Sequence, residues 1–466
     1  MNKLCRSAVG TNTIPSISNI KTKWCVHAEN RIGENGYAGR KRYIVAVDLG
    51  SSHITGAVGH RDDDGRFTVD AVEIGESKDG IKRGRVINVS DVALKLSQIF
   101  RRLEARISPS KISKVYVGVS GQSIRSIEFP VVRTISSESP IDDSLLAELE
   151  AEARDRILEN NLVVFDVIPG ECRVDGRATE KPCGQYGSEI RVSYRLIVGN
   201  EIHKRNIDRV FEQAKMPIAG YICTANAAAV AVLSEEERRQ GCALLDCGAE
   251  TTTLSLYKDG YFASMITIPL GGNNITRDIC SLHVKESEAE SIKKAYQPQI
   301  DGTITVDWGM KDYYFDFTAE KIEEVIMARL GEIIANVKAQ LLGSGYMRSL
   351  TSGITLIGGG ASMKGLKTLL AKETDLDVCR GTLLGVSLVP GINGVASVQV
   401  IGLLLMGKEI CAAPPVVEKK EEIPAPEKEP QLPPQPEPPT SGTKSSKSPI
   451  WKTIWDTMKE EMDKEN

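Results

Sequence analysis

Short apolar runs separated by small glycine-containing turns mark two parts of the chain. In residues 43–59, YIVAVDLGSSHITGAVG, an apolar run ends near Asp48, and a second run follows a turn of Gly and Ser residues. This pattern predicts a strand, a tight turn and a second strand. The pattern returns in residues 243–257, ALLDCGAETTTLSLY, with Asp246 near the end of the first run and Gly248 in the turn. The sequence therefore predicts one β-hairpin design used twice.

A third glycine-containing segment follows a short β-branched run. Residues 354–366, ITLIGGGASMKGL, predict a strand, a glycine turn and a helix that begins near Met363. Three successive glycines let the backbone approach a flat ring or a sugar closely, and a helix N-terminus favours an anion. This segment is a candidate ligand-contacting loop.

The rest of the chain alternates helical and strand patterns, which predicts an α/β protein. Ser90 is the expected N-cap of a first helix, and Asp142 or Asp143 that of an amphipathic helix inside a strand-rich stretch at 114–198. Residues 220–233, GYICTANAAAVAVL, predict an alanine-rich connecting helix. Helical patterns also cover residues 287–296, 318–341 and 397–407.

Composition excludes several classes of function. The formal net charge of −4 gives no electrostatic footprint for nucleic acid, so no nucleic-acid partner is expected. The ten cysteines show no C-x-x-C spacing and are expected to be buried, reduced thiols of a cytoplasmic protein. Only five histidines occur, which disfavours a histidine metal cluster. No run of 18 apolar residues is present, so no membrane-spanning segment is predicted.

The two ends differ from the body of the chain. Residues 1–42 are polar and without periodicity, which predicts a disordered extension. Prolines interleaved with Glu, Lys and Gln in residues 412–449 predict an extended linker. At about 3.1 Å per residue it would reach roughly 100 Å.

The last residues, 450–466, predict a short amphipathic helix with Ser448 as N-cap and Pro449 at its first position. Its apolar face would lie on a membrane surface, because Trp and Ile favour the headgroup boundary. Docking on a protein core is the alternative. The expected membrane-contacting residues are Ile450, Trp451, Ile454, Trp455, Met458 and Met462.

The turns of the two hairpins suggest a chemistry. Backbone N–H groups with Ser51 and Ser52 can face a phosphate, and an aspartate at the strand end would lie beside that phosphate and its Mg²⁺. Each hairpin alone can equally be an ordinary structural hairpin. Two copies, however, suggest two halves that enclose one nucleotide.

The ordered set of motifs resembles the phosphate-one, phosphate-two and adenosine motifs of the actin, sugar kinase and heat-shock chaperone superfamily. Within it, the chain from about Tyr43 to its end resembles the FtsA family of bacterial cell-division proteins, which also carries an inserted subdomain after the first helix. The resemblance implies an actin/ribonuclease-H-like two-domain fold with an inserted α+β subdomain, followed by a disordered linker and a C-terminal amphipathic helix. The implied ranges are a first half at 43–225 with its insertion at about 114–198, a second half at 226–384, and a closing helix region at 385–411 that returns to the first half.

The resemblance also implies ATP and Mg²⁺ as ligands. Asp48 and Asp246 would hold Mg²⁺ through water, and Glu290 and Lys293 would approach the adenosine; the alternative for that pair is an exposed ion pair on a helix. The remaining nucleotide-contacting residues implied by the resemblance are Gly50, Ser51, Ser52, Gly248, Thr251, Thr252, Thr253, Gly358, Gly359 and Gly360. Relatives of the MreB type carry a glutamate where this chain has Thr224 and Ala225, so at most slow hydrolysis is expected.

By the same resemblance, the chain would polymerise and anchor filaments of the tubulin-like division protein FtsZ to the inner membrane. It would lie at the cytoplasmic face of that membrane, peripherally and at the division site, and bind other division proteins through the inserted subdomain. Two alternatives are a PilM-like scaffold for pilus assembly and a sugar-kinase-type phosphotransferase. The second lacks a candidate aspartate base and leaves the tryptophan-bearing tail unexplained.

Overall fold

The computed structural model of this protein describes residues 41–296 and 319–414. Most of the predicted N-terminal extension, nearly all of the predicted linker and the whole predicted helix at 450–466 lie outside these ranges. Among the described residues, no helix is long and apolar enough to cross a membrane.

The first half begins with the predicted hairpin. Apolar residues on both faces of these strands place them inside the domain, and Asn88 caps the long helix that covers them. The elements are β1 (Tyr43–Leu49), β2 (His53–Arg61), β3 (Phe67–Glu76), β4 (Ile81–Lys82), β5 (Arg85–Val86), α1 (Val89–Arg106), β6 (Lys111–Ile112) and β7 (Val115–Val119).

An α+β module follows within the first half. Its four-stranded antiparallel sheet has the order β10-β9-β11-β8, and alternate residues of the strands pack against one helix. The elements are β8 (Arg125–Thr134), α2 (Asp143–Arg154), β9 (Leu162–Val174), β10 (Arg177–Thr179) and β11 (Glu189–Asn200). The chain then returns through α3 (Glu201–Gln213), β12 (Ile218–Cys223) and α4 (Thr224–Val232).

The second half repeats the strand arrangement of the first. Its elements are α5 (Glu235–Gln240), β13 (Cys242–Cys247), β14 (Thr252–Lys258), β15 (Tyr261–Ile268), α6 (Gly272–Cys280), α7 (Glu286–Ala295), α8 (Ala319–Gly343), β16 (Ile354–Ile357), α9 (Leu366–Thr374) and β17 (Val378–Arg380). The chain closes through β18 (Val386–Leu388), α10 (Val398–Met406) and β19 (Ala412–Ala413) in the first half.

The two halves share one sheet topology. The first sheet has the order β12-β7-β1-β2-β3-β18, and the second has the order β15-β14-β13-β16-β17. In each, three antiparallel strands are extended by parallel strands on the side of the first hairpin strand. The predicted repeat is therefore a repeat of a whole domain, as in actin-like proteins.

The structure corrects several predicted boundaries. Asn88, and not Ser90, caps α1, because its side chain accepts the Asp91 N–H at 3.1 Å. β7 lies in the first large sheet, buried on both faces, so the inserted module begins after it and not at residue 114. Residues 218–223 form β12, and only the alanine-rich remainder forms the predicted connecting helix.

Two further boundaries also differ from the predictions. The helix expected near Met363 begins at Leu366, after a short 3-10 turn at Gly359–Ser362. The predicted linker starts later than residue 412, because Ala412 is buried and pairs with Tyr43 in the first sheet.

Candidate functional site

The first hairpin turn places Asp48 at the end of β1, where it pairs in register with Thr55 of β2. Asp48 Oδ1 accepts a hydrogen bond of 3.4 Å from Thr224 Oγ1 at the start of α4. A Cβ atom at Gly50 would lie 2.7 Å from the His53 carbonyl oxygen, so the tight turn requires glycine there. Ser77 N–H donates to the Ser52 carbonyl at 3.0 Å and fixes the turn from outside.

The second hairpin turn repeats this geometry. Asp246 pairs with Thr253, as Asp48 pairs with Thr55, so the two aspartates occupy equivalent positions. Gly248 N–H donates to the Thr251 carbonyl at 2.8 Å and closes the turn. The Gly272 N–H donates to the Gly248 carbonyl at 3.0 Å, so α6 begins directly against this turn.

Two predicted phosphate contacts in the second turn have other partners. The Thr252 hydroxyl donates to the Leu270 carbonyl at 2.9 Å, and its proton is therefore unavailable to a ligand. The buried Thr253 hydroxyl lies 3.4 Å from that of Thr267 within the sheet. Of the predicted Thr251–Thr253 run, Thr251 is partly exposed and stays a predicted phosphate contact.

The third glycine segment lies beside Asp246. Gly358 has a φ of +83°, and a Cβ atom there would lie 2.4 Å from Asp246 Oδ1. A Cβ atom at Gly360 would lie 2.9 Å from the Cys247 carbonyl oxygen, whereas one at Gly359 would meet nothing within 4 Å. The glycines at 358 and 360 thus allow close backbone packing, and Gly359 leaves its outer side open.

The two aspartates are electrostatically coupled across the halves. Burial and, to a smaller extent, the neighbouring Asp246 carboxylate raise the pKa of Asp48 to about 7, against the opposing effect of the hydrogen bond from Thr224. Burial also raises the pKa of Asp246, although the hydrogen bonds from Gln399 oppose this. Two neighbouring carboxylates whose charges raise a pKa in this way would be stabilised by a cation.

Gln399 is a site residue that the sequence prediction missed. Its Nε2 lies 3.0 Å from each oxygen of Asp246 and donates a hydrogen bond to that carboxylate from α10, which packs in the first half. The available signal was a single amide side chain among the apolar residues of SVQVIGLLLMG. Sequence alone could not pair it with an aspartate 153 positions away.

Glu250 is a second missed residue, at the position equivalent to Ser52 of the first turn. Its Oε2 accepts the Arg83 N–H at 2.6 Å, and its Oε1 pairs with Arg277 Nη2 at 2.6 Å. The turn at residues 82–85 therefore joins the second hairpin turn. It also joins the first, because the Gly84 N–H donates to Ser51 Oγ at 2.8 Å.

Glu290 and Lys293 form a half-buried pair on α7. Lys293 Nζ lies 2.6 Å from Glu290 Oε2 and 3.2 Å from the Gly272 carbonyl oxygen, with its side chain 13% exposed. Burial acts to raise the pKa of Glu290, but hydrogen bonds from Lys293 and Thr276 outweigh it and hold the pKa below its usual range. The pair is therefore not the exposed ion pair of the alternative prediction, and it lies against the first turn of α6.

The arrangement fits a nucleotide with its cation. Paired carboxylates, two glycine-containing turns and an open glycine loop supply the oxygen ligands and close approach that a phosphate–metal group needs. The predicted membrane-contacting residues Ile450, Trp451, Ile454, Trp455, Met458 and Met462 lie outside the described residues, so this geometry leaves them untested.

Comparison with known proteins agrees with this architecture. The family model "Cell division protein FtsA" matches residues 243–398, and the model of the "SHS2 domain inserted in FTSA" matches residues 121–198. The second match corresponds to the inserted α+β module. The first match covers most of the second half, so together the two models account for that half and for the insertion.

Similar whole proteins point the same way. Cell division protein FtsA of Porphyromonas gingivalis is 30% identical over 342 residues, which cover 71% of each chain. That of Bacillus subtilis is 28% identical over 379 residues, covering 76% of this chain and 82% of the relative. A solved structure, of a "PilM-PilN type IV pilus biogenesis complex", matches with a TM-score of 0.55 and 16% identity over 78% of this chain and 97% of that one, which shows a shared fold. From these matches and the duplicated actin-like halves with their insertion, the chain belongs to the FtsA family of cell division proteins.

Proposed function

We propose that this protein is an actin-like ATP-binding cell-division protein that polymerises and anchors FtsZ filaments to the cytoplasmic membrane. The observation that carries the nucleotide part is the pair of electrostatically interacting aspartates, Asp48 and Asp246, at equivalent positions of two repeated hairpins. Family membership supports the division role. The anchoring role rests on the resemblance and on the predicted C-terminal helix.

In this proposal, Asp48 and Asp246 hold Mg²⁺ through water, and the ion neutralises phosphate charge. The phosphates lie against the turns at Gly50–Ser52 and Gly248–Thr251. The adenosine lies along Gly358–Gly360, with Glu290 and Lys293 at its edge. Gln399 fixes the orientation of the Asp246 carboxylate.

Nucleotide binding is proposed to control closure of the two halves more than to sustain rapid turnover. Thr224, at the start of α4, hydrogen-bonds Asp48 and carries no carboxylate that could serve as a general base. A ligand that contacts both halves shifts the balance between open and closed states by its differential affinity. Polymer contacts would follow that closure.

The nucleotide part is tested by equilibrium binding of a fluorescent ATP analogue with Mg²⁺. Asp246→Asn removes one carboxylate of the proposed ion site, and we expect the affinity to fall about tenfold. Asp259→Asn, in the turn between β14 and β15, is the matched control and should bind as the unchanged protein does. Equal affinity of all three proteins would exclude Asp246 from the nucleotide site.

The membrane and partner parts are tested by sedimentation of labelled FtsZ with lipid vesicles, this protein and ATP. The intact chain should carry FtsZ into the pellet, and a version ending at Pro449 should not, because it lacks the apolar segment Ile450–Met462. If the intact chain pellets with lipid but recruits no FtsZ, the partner assignment is wrong and a pilus-type scaffold becomes the better proposal. If neither form pellets, the membrane assignment is wrong.

A further inference from the structure

The turn at residues 82–85 forms a small anion-binding site between the two hairpin turns. Arg83 and Gly84 are in left-handed conformations, with φ values of +50° and +73°. Their successive N–H groups point to two acceptors, the Glu250 carboxylate at 2.6 Å and the Ser51 hydroxyl at 2.8 Å. Successive backbone N–H groups in such turns commonly bind anions.

The position of this turn is fixed by close packing. A Cβ atom at Gly84 would lie 2.4 Å from the Gly121 Cα atom, and the Gln122 N–H donates to the Arg83 carbonyl at 3.0 Å. The N–H groups are therefore held toward the two hairpin turns and do not reorient freely.

An internal carboxylate occupies this site. The Glu250 side chain is only 10% exposed, and it is held by a backbone N–H of one half and the Arg277 guanidinium of the other. Burial of a charge is costly unless it is paired in this way. Glu250 is thus an anion in the second hairpin turn that accepts hydrogen bonds from both halves.

We propose that Glu250 stands in for the terminal phosphate of a nucleoside triphosphate, so that the triphosphate must displace it from the Arg83 N–H and from Arg277, whereas a diphosphate leaves it in place. This inference rests on the proposed nucleotide-binding function. Its consequence is selectivity: Glu250 weakens the binding of ATP relative to ADP, and it returns to its donors when the terminal phosphate is absent.

The test is Glu250→Gln, which keeps an acceptor for the Arg83 N–H but removes the negative charge. Dissociation constants for fluorescent ATP and ADP analogues with Mg²⁺ are measured for both proteins. We expect the affinity for ATP to rise about tenfold, and that for ADP to change by less than about twofold, because a charge-assisted competitor is lost for the terminal phosphate alone.

Two further variants make the test specific. Arg277→Gln leaves the Glu250 charge without its cation, so ATP affinity should fall while ADP affinity is kept. Glu286→Gln removes a carboxylate that also pairs across the halves, with Lys78 at 3.7 Å, but on the exposed surface. It should leave both affinities unchanged.

The outcomes separate this inference from the proposed function. An unchanged ratio of ATP to ADP affinity in Glu250→Gln overturns the inference while nucleotide binding stands. If both affinities fall equally and the melting temperature is lower, Glu250 has a purely structural role, and this result also overturns the inference. If the unchanged protein binds neither nucleotide, the proposed nucleotide function itself is wrong.

Discussion

At the scale of single residues, the burial of His203 makes the stability of this fold sensitive to acid. It lies on α3 with 4% of its surface exposed, edge-on to the Phe165 ring at 5.7 Å, and its Nδ1 has no hydrogen-bond partner among the described residues. Burial, with the nearby positive charge of Arg85, lowers the pKa of His203 to about 4. The imidazole is therefore neutral in the folded protein at pH values where an unfolded chain would already bind a proton.

The sign of the resulting pH dependence follows from linkage. The unfolded imidazole becomes protonated as the pH falls below its usual value of 6.5, and the folded one only near 4, so the contribution to stability is lost as the pH falls between these values. At pH 5 the loss is about 2 kcal/mol. We expect His203→Phe to reduce the fall in unfolding free energy between pH 7 and pH 5 by that amount, as measured by urea denaturation.

The exposed His53 provides the control for this prediction. His53→Gln should keep the pH dependence of the unchanged protein. If the unfolding free energy falls equally between pH 7 and pH 5 in His203→Phe and in the unchanged protein, other groups cause the acid sensitivity.

At the scale of elements, α4 and α10 cross in close contact. These two helices carry Thr224 and Gln399. A Cβ atom at Gly402 would lie 2.1 Å from the Ala227 carbonyl oxygen, so the two backbones touch where the alanine-rich helix passes. The small residues of α4 allow this approach. Any added atom would push the helices apart and shift both site residues.

Gly402→Ala should therefore destabilise the protein by about 2 kcal/mol or more, because overpacking forces the backbone to move. Gly331→Ala is the matched control, since its Cβ atom would meet nothing within 4 Å on the exposed face of α8. That change should stabilise by up to about 1 kcal/mol, as alanine favours helix. Thermal unfolding measures both, and equal melting temperatures for the two variants would contradict the tight crossing.

The sequence predicted the elements whose signal is local. The two hairpins, whose first strands end near Asp48 and Asp246, follow from the apolar runs and turn residues, and the helices follow from helical periodicity. The equivalent position of the two aspartates follows from the repeat. Capping at Asn88 and the strand at 218–223 were missed, since alternative caps and apolar runs are locally ambiguous. Gln399 and Glu250 were missed because their partners come from the other half of the molecule, and no local pattern records such a pair.

At the scale of the whole molecule, the two halves meet through contacts of very different burial. Gln399 donates to the partly buried Asp246 carboxylate, whereas Lys78 and Glu286 pair at 3.7 Å on the surface. Exposed ion pairs contribute little, and a buried charge that loses its donor is costly. The Gln399–Asp246 hydrogen bonds should therefore contribute more to stability than the Lys78–Glu286 pair does.

Gln399→Leu should accordingly lower the unfolding free energy by about 2 kcal/mol, because it leaves the Asp246 carboxylate without its amide donor. Lys78→Gln, which removes only the exposed pair, should cost less than about 1 kcal/mol. Urea denaturation of both variants compares the two contacts. A larger loss in Lys78→Gln would mean that the surface pair joins the halves more strongly than the buried one.

The short strand β19 gives the molecule a mechanical property. Ala412 pairs with Tyr43 on β1 and with Ile112 on β6, and the Cys411 N–H donates to the Tyr43 carbonyl at 2.8 Å. A pull on the chain beyond residue 414 would enter the domain through these backbone hydrogen bonds, at the start of the strand that ends beside Asp48. Because β1 also carries Asp48, tension applied at residue 414 would be transmitted directly to a strand of the candidate site.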